Sequence, residues 1–263
     1  MQEILSKDNY NVKQYIKLKS SKRQRMLSEL FVVEGVKLCL EAVKENLEIQ
    51  KVFITQKCID RYGEQLEEMT KLKNKTYIIA EDIDLKMSDT ITPQGVFMLC
   101  KKLNKTLSIE KIKNSKSVIG LCNLQDPGNI GTIIRTAEAL GIDGIIASTD
   151  CCDLFSPKVI RATMGSIFRV KILFTTNIED LINTLNSNNI TTIASVVDET
   201  ACDVSKFDFP TPSVVFIGNE GNGLPASISS ICSQKVTIKM AGNSESLNAS
   251  IASSIIMWEI SKR

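Results

Sequence analysis

The stretch Ser117–Thr136, SVIGLCNLQDPGNIGTIIRT, decides the fold. Its first part, residues 117–124, is an apolar run of strand length without polar alternation, as expected of a strand buried on both faces. Pro127 and Gly128 then make a tight turn, and Asn129 is placed to cap a helix over 130–140. Ile130, Ile133, Ile134, Ala137 and Leu140 fall on one stripe of that helix, and Gly141 ends it. A strand at Gly144–Ser148 completes a β-α-β unit, whose two strands must run parallel.

Toward the C-terminus the alternation continues. Strands are predicted at Arg169–Phe174, Thr191–Val197, Ser213–Gly218 and Lys235–Ile238, and helices at Asp180–Asn186 and Leu247–Ile260. This pattern calls for an α/β domain with a parallel sheet covered on both faces. Toward the N-terminus, Phe31–Val43 has helical spacing, Gln50–Thr55 reads as a strand and Tyr62–Leu72 as a polar helix. Thr76–Ala80 and Gly95–Cys100 read as further strands. Residues 101–116, KKLNKTLSIEKIKNSK, are charged and aperiodic and read as a linker, so the expected domains are residues 1–105 and 106–263.

The 263 residues are 43% apolar and 24% charged, ordinary for globular domains. No apolar run is long enough to span a bilayer. The polar, basic start MQEILSKDNYNVKQYIKLKS lacks the apolar core of a secretory signal, and a cytoplasmic location is expected. Histidine is absent altogether, which removes Ser-His-Asp and Cys-His catalysis and HExxH zinc sites. The eight cysteines include no CxxC pair, so no metal is expected and the thiols read as reduced. Charge is uneven: residues 1–105 hold 19 basic against 15 acidic side chains, and residues 106–263 hold 13 against 15. Lys13, Lys17, Lys19, Lys22, Arg23 and Arg25 crowd one short stretch. They form either a solvated helix face or a nucleic-acid contact, since clustered cations neutralise phosphates regardless of sequence.

Three loops carry the candidate chemistry. The first is the helix start at Asn129, with Arg135 lying off the buried stripe; it either pairs with Glu138 in solvent or faces a ligand at the carboxyl edge of the sheet. The second, Phe216-Ile-Gly218-Asn219-Glu220-Gly221-Asn-Gly223-Leu-Pro225, is a strand entering a glycine-rich loop. It has neither the Walker nor the GxGxxG spacing, and Glu220 sits among its glycines without an obvious structural task. The third runs from Ile238 through Met240 to Ser246-Leu247-Asn248, where Ser246 is expected to cap the last helix.

In order and spacing these three segments resemble the signature motifs of the SpoU-type (SPOUT superfamily) RNA 2′-O-ribose methyltransferases over residues 117–260. The segment FVVEGVKLCLEA (31–42), after a basic helix, resembles that family's N-terminal substrate-binding domain of ribosomal-protein L30e-like fold. Lys239 stands where the family usually has proline, and Thr132 where it usually has alanine. The resemblance implies a parallel-sheet SPOUT domain with a deep trefoil knot, beside a smaller L30e-like α/β domain. Patterning alone would have given an ordinary open sheet. It further implies S-adenosylmethionine as cofactor, held by Gly218, Asn219, Gly221, Gly223, Ile238, Met240, Leu247 and Asn248. The implied catalytic set is Arg135, Asn129, Glu220, Ser246 and Asn248, with Asn129 and Glu220 holding Arg135. The family credits the residue matching Arg135 with proton removal. A guanidinium, always protonated, suits a clamp on RNA phosphate and on developing alkoxide charge better.

The expected substrate is large-subunit ribosomal RNA, because a module of this kind suits RNA loops and kinks. A homodimer is expected through the small residues of the last helix, Ser250, Ser253 and Ser254, beside Ile251 and Trp258. Three other readings stand beside this one. They are a tRNA 2′-O-methyltransferase, a non-catalytic RNA-binding or ribosome-assembly protein of the same fold, and a Rossmann-type enzyme. The last needs an early glycine-rich loop that the chain does not have.

Overall fold

Alternation in the sequence becomes two sheets. The structure, a computed structural model, describes residues 1–103 and 105–262. Asn104, in the expected linker, and Arg263, at the end of the expected second domain, lie outside the described residues. The first elements are β1 (Gln2–Ile4), α1 (Tyr10–Ser20), α2 (Lys22–Ser28), β2 (Leu30–Glu34), α3 (Val36–Lys44) and β3 (Ile49–Thr55). Then come α4 (Gln56–Tyr62), β4 (Thr76–Ile79), α5 (Glu81–Met87), β5 (Val96–Lys101), α6 (Ile109–Lys113), β6 (Ser117–Leu121) and α7 (Pro127–Ala139). The chain continues through β7 (Gly144–Ser148), α8 (Pro157–Thr163), β8 (Ile172–Thr175), α9 (Ile178–Ser187), β9 (Thr191–Ser195) and β10 (Cys202–Asp203). It ends with β11 (Ser213–Ile217), α10 (Ala226–Ile231), β12 (Gln234–Thr237) and α11 (Ala249–Ser261).

The chain divides into two compact units. The first comprises residues 1–104 with 155–168, and the second residues 105–154 with 169–263. Sequence reasoning placed 155–168 in the second half; aromatic packing puts it in the first unit. The Phe31 ring lies 5.2 Å from Phe155 and 6.1 Å from Phe168, and Arg161 Nη2 on α8 meets Asp89 at 2.7 Å.

In the first unit a five-stranded sheet has the order β1-β4-β3-β5-β2, with β5 antiparallel to both neighbours. Tyr15 of α1 is fully buried, its ring edge-on to Phe53 and Phe97 at 5.9 and 5.4 Å. Phe31–Val33 is not helical, as its spacing predicted, but strand β2. Backbone pairing with β5 overrides the local pattern, and Gly35, at φ 95°, turns the corner into α3. Among the described residues no α-helix spans Tyr62–Leu72 as predicted: α4 ends at Tyr62, where that helix was expected to begin. It starts at Gln56 because Thr55 Oγ1 accepts from Cys58 N at 3.1 Å and caps it. A 3-10 segment, Glu67–Lys75, follows it. The linker likewise contains α6, capped by Ser108, whose side chain accepts from Lys111 N.

The basic cluster is sorted by burial. Lys17, Lys22 and Arg23 are exposed, Lys13 pairs with Asp8 at 2.9 Å, and Lys19 Nζ donates to the Ser88 carbonyl at 2.8 Å. Arg25, expected on an RNA-binding surface, is a correction: it is only 4% exposed. Its Nη1 donates to the carbonyls of Leu18 and Lys19. Helix α2 turns back on α1, so the guanidinium satisfies carbonyls that the end of α1 leaves open.

In the second unit seven strands, all parallel, run in the order β10-β12-β9-β11-β6-β7-β8. One core cluster joins Val118, Ile146, Val214 and Phe216 to Ile178, Ile182 and Leu185 of α9. Helix α11 packs against α7. Among the described residues no helix is long and apolar enough to cross a membrane.

Candidate active site

Parallel strands put their carboxyl ends on one edge of a sheet, where open α/β folds bind ligands. At this edge the loops after β6, β11 and β12 carry the three motifs. After β11, Asn219 and Gly223 exchange both backbone hydrogen bonds, Asn219 N to Gly223 O at 3.1 Å and the reverse at 2.9 Å. The turn folds back onto Gly218 so tightly that a Cβ there would lie 2.1 Å from the Gly223 carbonyl carbon. Asn219 stiffens it, accepting from Gly221 N at 2.9 Å and donating to the Asn123 carbonyl at 2.8 Å.

Glu220 reaches the first motif. Its carboxylate accepts from the backbone N–H of Gln125 (3.2 Å) and of Asp126 (3.1 Å), and from Asn129 Nδ2 (3.1 Å). A carboxylate only accepts, so the Asn129 amide must turn its NH2 toward Glu220, leaving its oxygen free. That oxygen accepts from Asn248 Nδ2 at 3.0 Å. Asn248 in turn accepts from Ser250 N (2.9 Å) and Ile251 N (3.3 Å), capping α11. Glu220, Asn129 and Asn248 thus form one polarised chain joining all three loops. Burial, the largest influence on the Glu220 carboxyl, pushes its pKa up. Its N–H donors outweigh burial and hold it below the ordinary glutamate value.

Three details differ from the sequence reading. Asp126, not Asn129, caps α7, its side chain accepting from Asn129 N at 2.7 Å with Pro127 opening the helix. The cap of α11 is Asn248, not Ser246, which is exposed in the loop before it. Asn129 and Glu220, expected to hold Arg135, hold each other instead. Arg135 is exposed two turns into α7 and, among the described residues, makes no hydrogen bond or ion pair. Its candidate partner Glu138 pairs with Arg169 at 2.8 Å.

Beside the loops lies a cavity of about 600 Å³. Gly218, Asn219, Gly221, Gly223, Ile238, Met240, Ser246 and Leu247 all line it, as does Glu220; Asn129, Asn248 and Arg135 do not. Ser195–Asp198, at the carboxyl end of β9, also line it and were missed. Their position beyond an inner strand was legible, but no glycine or motif marked them. Among the described residues the backbone of residues 239–247 makes no hydrogen bond. Its amides and carbonyls are therefore free to meet a ligand. Among the described residues no group of three or more Cys, Asp or Glu could hold a metal ion.

A cavity of this size at the carboxyl edge of a parallel α/β sheet, lined by glycine backbone with apolar side chains (Ile238, Met240, Leu247) and polar ones (Asp198, Asn219, Glu220, Ser246), marks a small-molecule or cofactor site. Residues 116–258 match the SpoU rRNA Methylase family and residues 9–98 the MRM3-like substrate binding domain. The chain belongs to the SpoU rRNA methylase family. It is 30% identical to an uncharacterized tRNA/rRNA methyltransferase of Synechocystis, over 97% of this chain and 92% of that protein. To the 23S rRNA (guanosine(2553)-2′-O)-methyltransferase of Bacillus subtilis it is 26% identical, over 99% of both. The crystal structure of an AdoMet-bound rRNA methyltransferase from Sinorhizobium meliloti superposes with a TM-score of 0.86 at 28% identity, covering 99% of this chain and 97% of the other.

Proposed function

We propose that the protein transfers a methyl group from S-adenosylmethionine to a ribose 2′-hydroxyl of 23S ribosomal RNA, in the cytoplasm. The observation that carries this is the Glu220–Asn129–Asn248 chain, which ties three motif loops together beside a nucleoside-sized cavity. The residues fit the cofactor. Gly218, Gly221 and Gly223 let backbone approach a ligand, the unpaired backbone of 239–247 suits the edge of an adenine, and Ile238 and Leu247 offer apolar faces to its ring. In the family such a segment belongs to a trefoil knot, which we extend to this chain. When bound, S-adenosylmethionine supplies an electrophilic methyl on a sulfonium.

The remaining work falls to the chain's own residues. Arg135, exposed and unpaired, clamps RNA phosphate and stabilises negative charge developing on the 2′-oxygen. It stays protonated, so the hydroxyl proton leaves to a phosphate oxygen or to solvent. Asn129, Glu220 and Asn248 are positioning residues that fix the loops, and Ser246 and Leu247 shape the cavity mouth. Lys17, Lys22 and Arg23 contribute phosphate contacts from the N-terminal unit. The rRNA methylase match over residues 116–258 and the 23S rRNA enzyme of Bacillus subtilis favour ribosomal RNA over tRNA. Mapping ribose methyls in a deletion strain tests this. A missing 23S mark is expected, whereas a lost tRNA methyl with rRNA unchanged would overturn the assignment.

We further propose a homodimer built on one face of α11. Ser250 and Ser253 are buried and Ser254 Oγ meets Thr136 Oγ1 at 3.4 Å, so the small residues serve the packing of α11 within the chain. Ile251 and Trp258, 50% and 54% exposed, lie seven residues apart on one exposed stripe beside that packed face and suit a second copy. Ile251→Asp should convert a dimer to a monomer in light scattering at micromolar concentration. A wild type that is monomeric and fully active would refute the dimer.

A further inference from the structure

The N-terminal unit holds a second cavity, of about 530 Å³, between α4, α5 and residues 91–95, that methyl transfer leaves unused. Its lining mixes an aromatic face, two cations, two carboxylates (Glu81 and Asp84) and two large apolar side chains. Arg61 lies 5.2 Å from the Tyr62 ring centroid, Lys57 and Asp84 line the same space, and Leu85 and Ile91 are 68% and 97% exposed. The loop that presents Ile91 is fixed. Glu34 accepts from Ser88 Oγ (2.6 Å), Asp89 N (3.0 Å) and Thr90 Oγ1 (3.0 Å), and Gln94 Oε1 accepts from Val36 N (2.9 Å).

Asp84 is the anomaly. Its Oδ1 is buried and, among the described residues, has no hydrogen-bond partner, which opposes folding. Burial first, then the charges of Glu34 and Glu81, raise its carboxyl pKa to about 6, against a smaller opposing pull from Lys57. An acid raised in this way lowers stability as pH climbs from 3.8 through about 6, and the loss persists above. At neutral pH the group is ionised, and the fold is less stable for it.

We propose that this cavity receives an unstacked guanine of the substrate RNA, with Asp84 as its reader. The proposal rests on RNA being the substrate. An ionised carboxylate offers only acceptors. Once the Asp84 side chain turns its buried Oδ1 toward the cavity it can meet a pair of donors. Guanine alone among the four bases presents two adjacent N–H groups, N1 and N2, on one edge. Adenine and cytosine set a ring-nitrogen acceptor beside their amino group, and uracil sets carbonyls beside its single N–H. Tyr62 and Arg61 provide the stacking surface that single-stranded RNA recognition uses, Leu85 and Ile91 cover the base, and Lys57 meets a phosphate.

The test uses full-length protein and four RNA hairpins that differ only in one bulged nucleotide, with filter-binding affinities and melting temperatures at pH 7.5. The guanine bulge should bind at least about tenfold tighter than the uridine bulge, a step of about 1.4 kcal/mol. Asp84→Asn should erase that preference, leave the uridine hairpin unchanged, and melt no lower than wild type. Equal affinity for all four bulges, or a preference that survives in Asp84→Asn, overturns the proposal. Methylation of rRNA by the wild type, measured alongside, separates the two readings: a guanine preference without any methyl transfer supports the pocket and removes the catalytic assignment.

Discussion

Replacing Arg135 with alanine should lower kcat about 10²–10³-fold, or about 3–4 kcal/mol of transition-state stabilisation. The affinity for S-adenosylmethionine should stay within a few-fold. The split follows from geometry, because Arg135 is absent from the cavity lining and exposed two turns along α7. Eight residues beyond Pro127 place it about 12 Å along the helix axis from the loop, at about 1.5 Å per residue. An exposed side chain with no partner among the described residues contributes little to stability, so the melting temperature should not move. Arg135→Lys should recover only part of the rate, since lysine keeps the charge and loses the planar fork that grips phosphate. A parallel fall in cofactor affinity, read by calorimetry, would place Arg135 in the cofactor site and contradict its assignment to RNA.

Gly218→Ala should be as severe in the opposite column. The added methyl would meet the Gly223 carbonyl carbon at 2.1 Å and Leu224 N at 2.2 Å, both backbone atoms that cannot rotate aside. The turn must open, and the paired hydrogen bonds of Asn219 and Gly223 open with it. S-adenosylmethionine affinity should fall about 100-fold or more, about 3 kcal/mol, with about 1–3 kcal/mol lost from folding. Gly221→Ala is the control for the fold, since its Cβ would come no closer than 3.5 Å to Asn219 Oδ1. Its melting temperature should match wild type. A Gly218→Ala protein that binds the cofactor normally would show that this loop does not shape the site.

Much of this was legible in the chain. Long apolar runs such as residues 117–121 and 213–217 read as buried parallel strands because nothing polar interrupts them, and both are central strands. The motif loops were legible because glycine, proline and asparagine mark turns by stereochemistry. What failed depended on partners distant in sequence. Phe31–Val33 has helical spacing and becomes a strand only because β5 pairs with it. Arg25 resembles its basic neighbours until α2 folds back on α1 and buries it. The partnership of Glu220 with residues 125, 126 and 129 spans more than ninety positions, and no local pattern could reveal it. Glu220 looked unassigned in sequence because its partners lie on another strand end. The same distance hid the placement of 155–168, whose rings meet Phe31.

Methyl transfer itself is tested most directly with purified full-length protein, S-adenosylmethionine labelled in its methyl group, and 23S rRNA from a strain lacking the enzyme. After nuclease digestion, the label should appear in one 2′-O-methylated nucleoside from a single position of 23S rRNA, and Arg135→Ala should give none above background. Label recovered on a base, on tRNA alone or only on the protein would contradict the assignment.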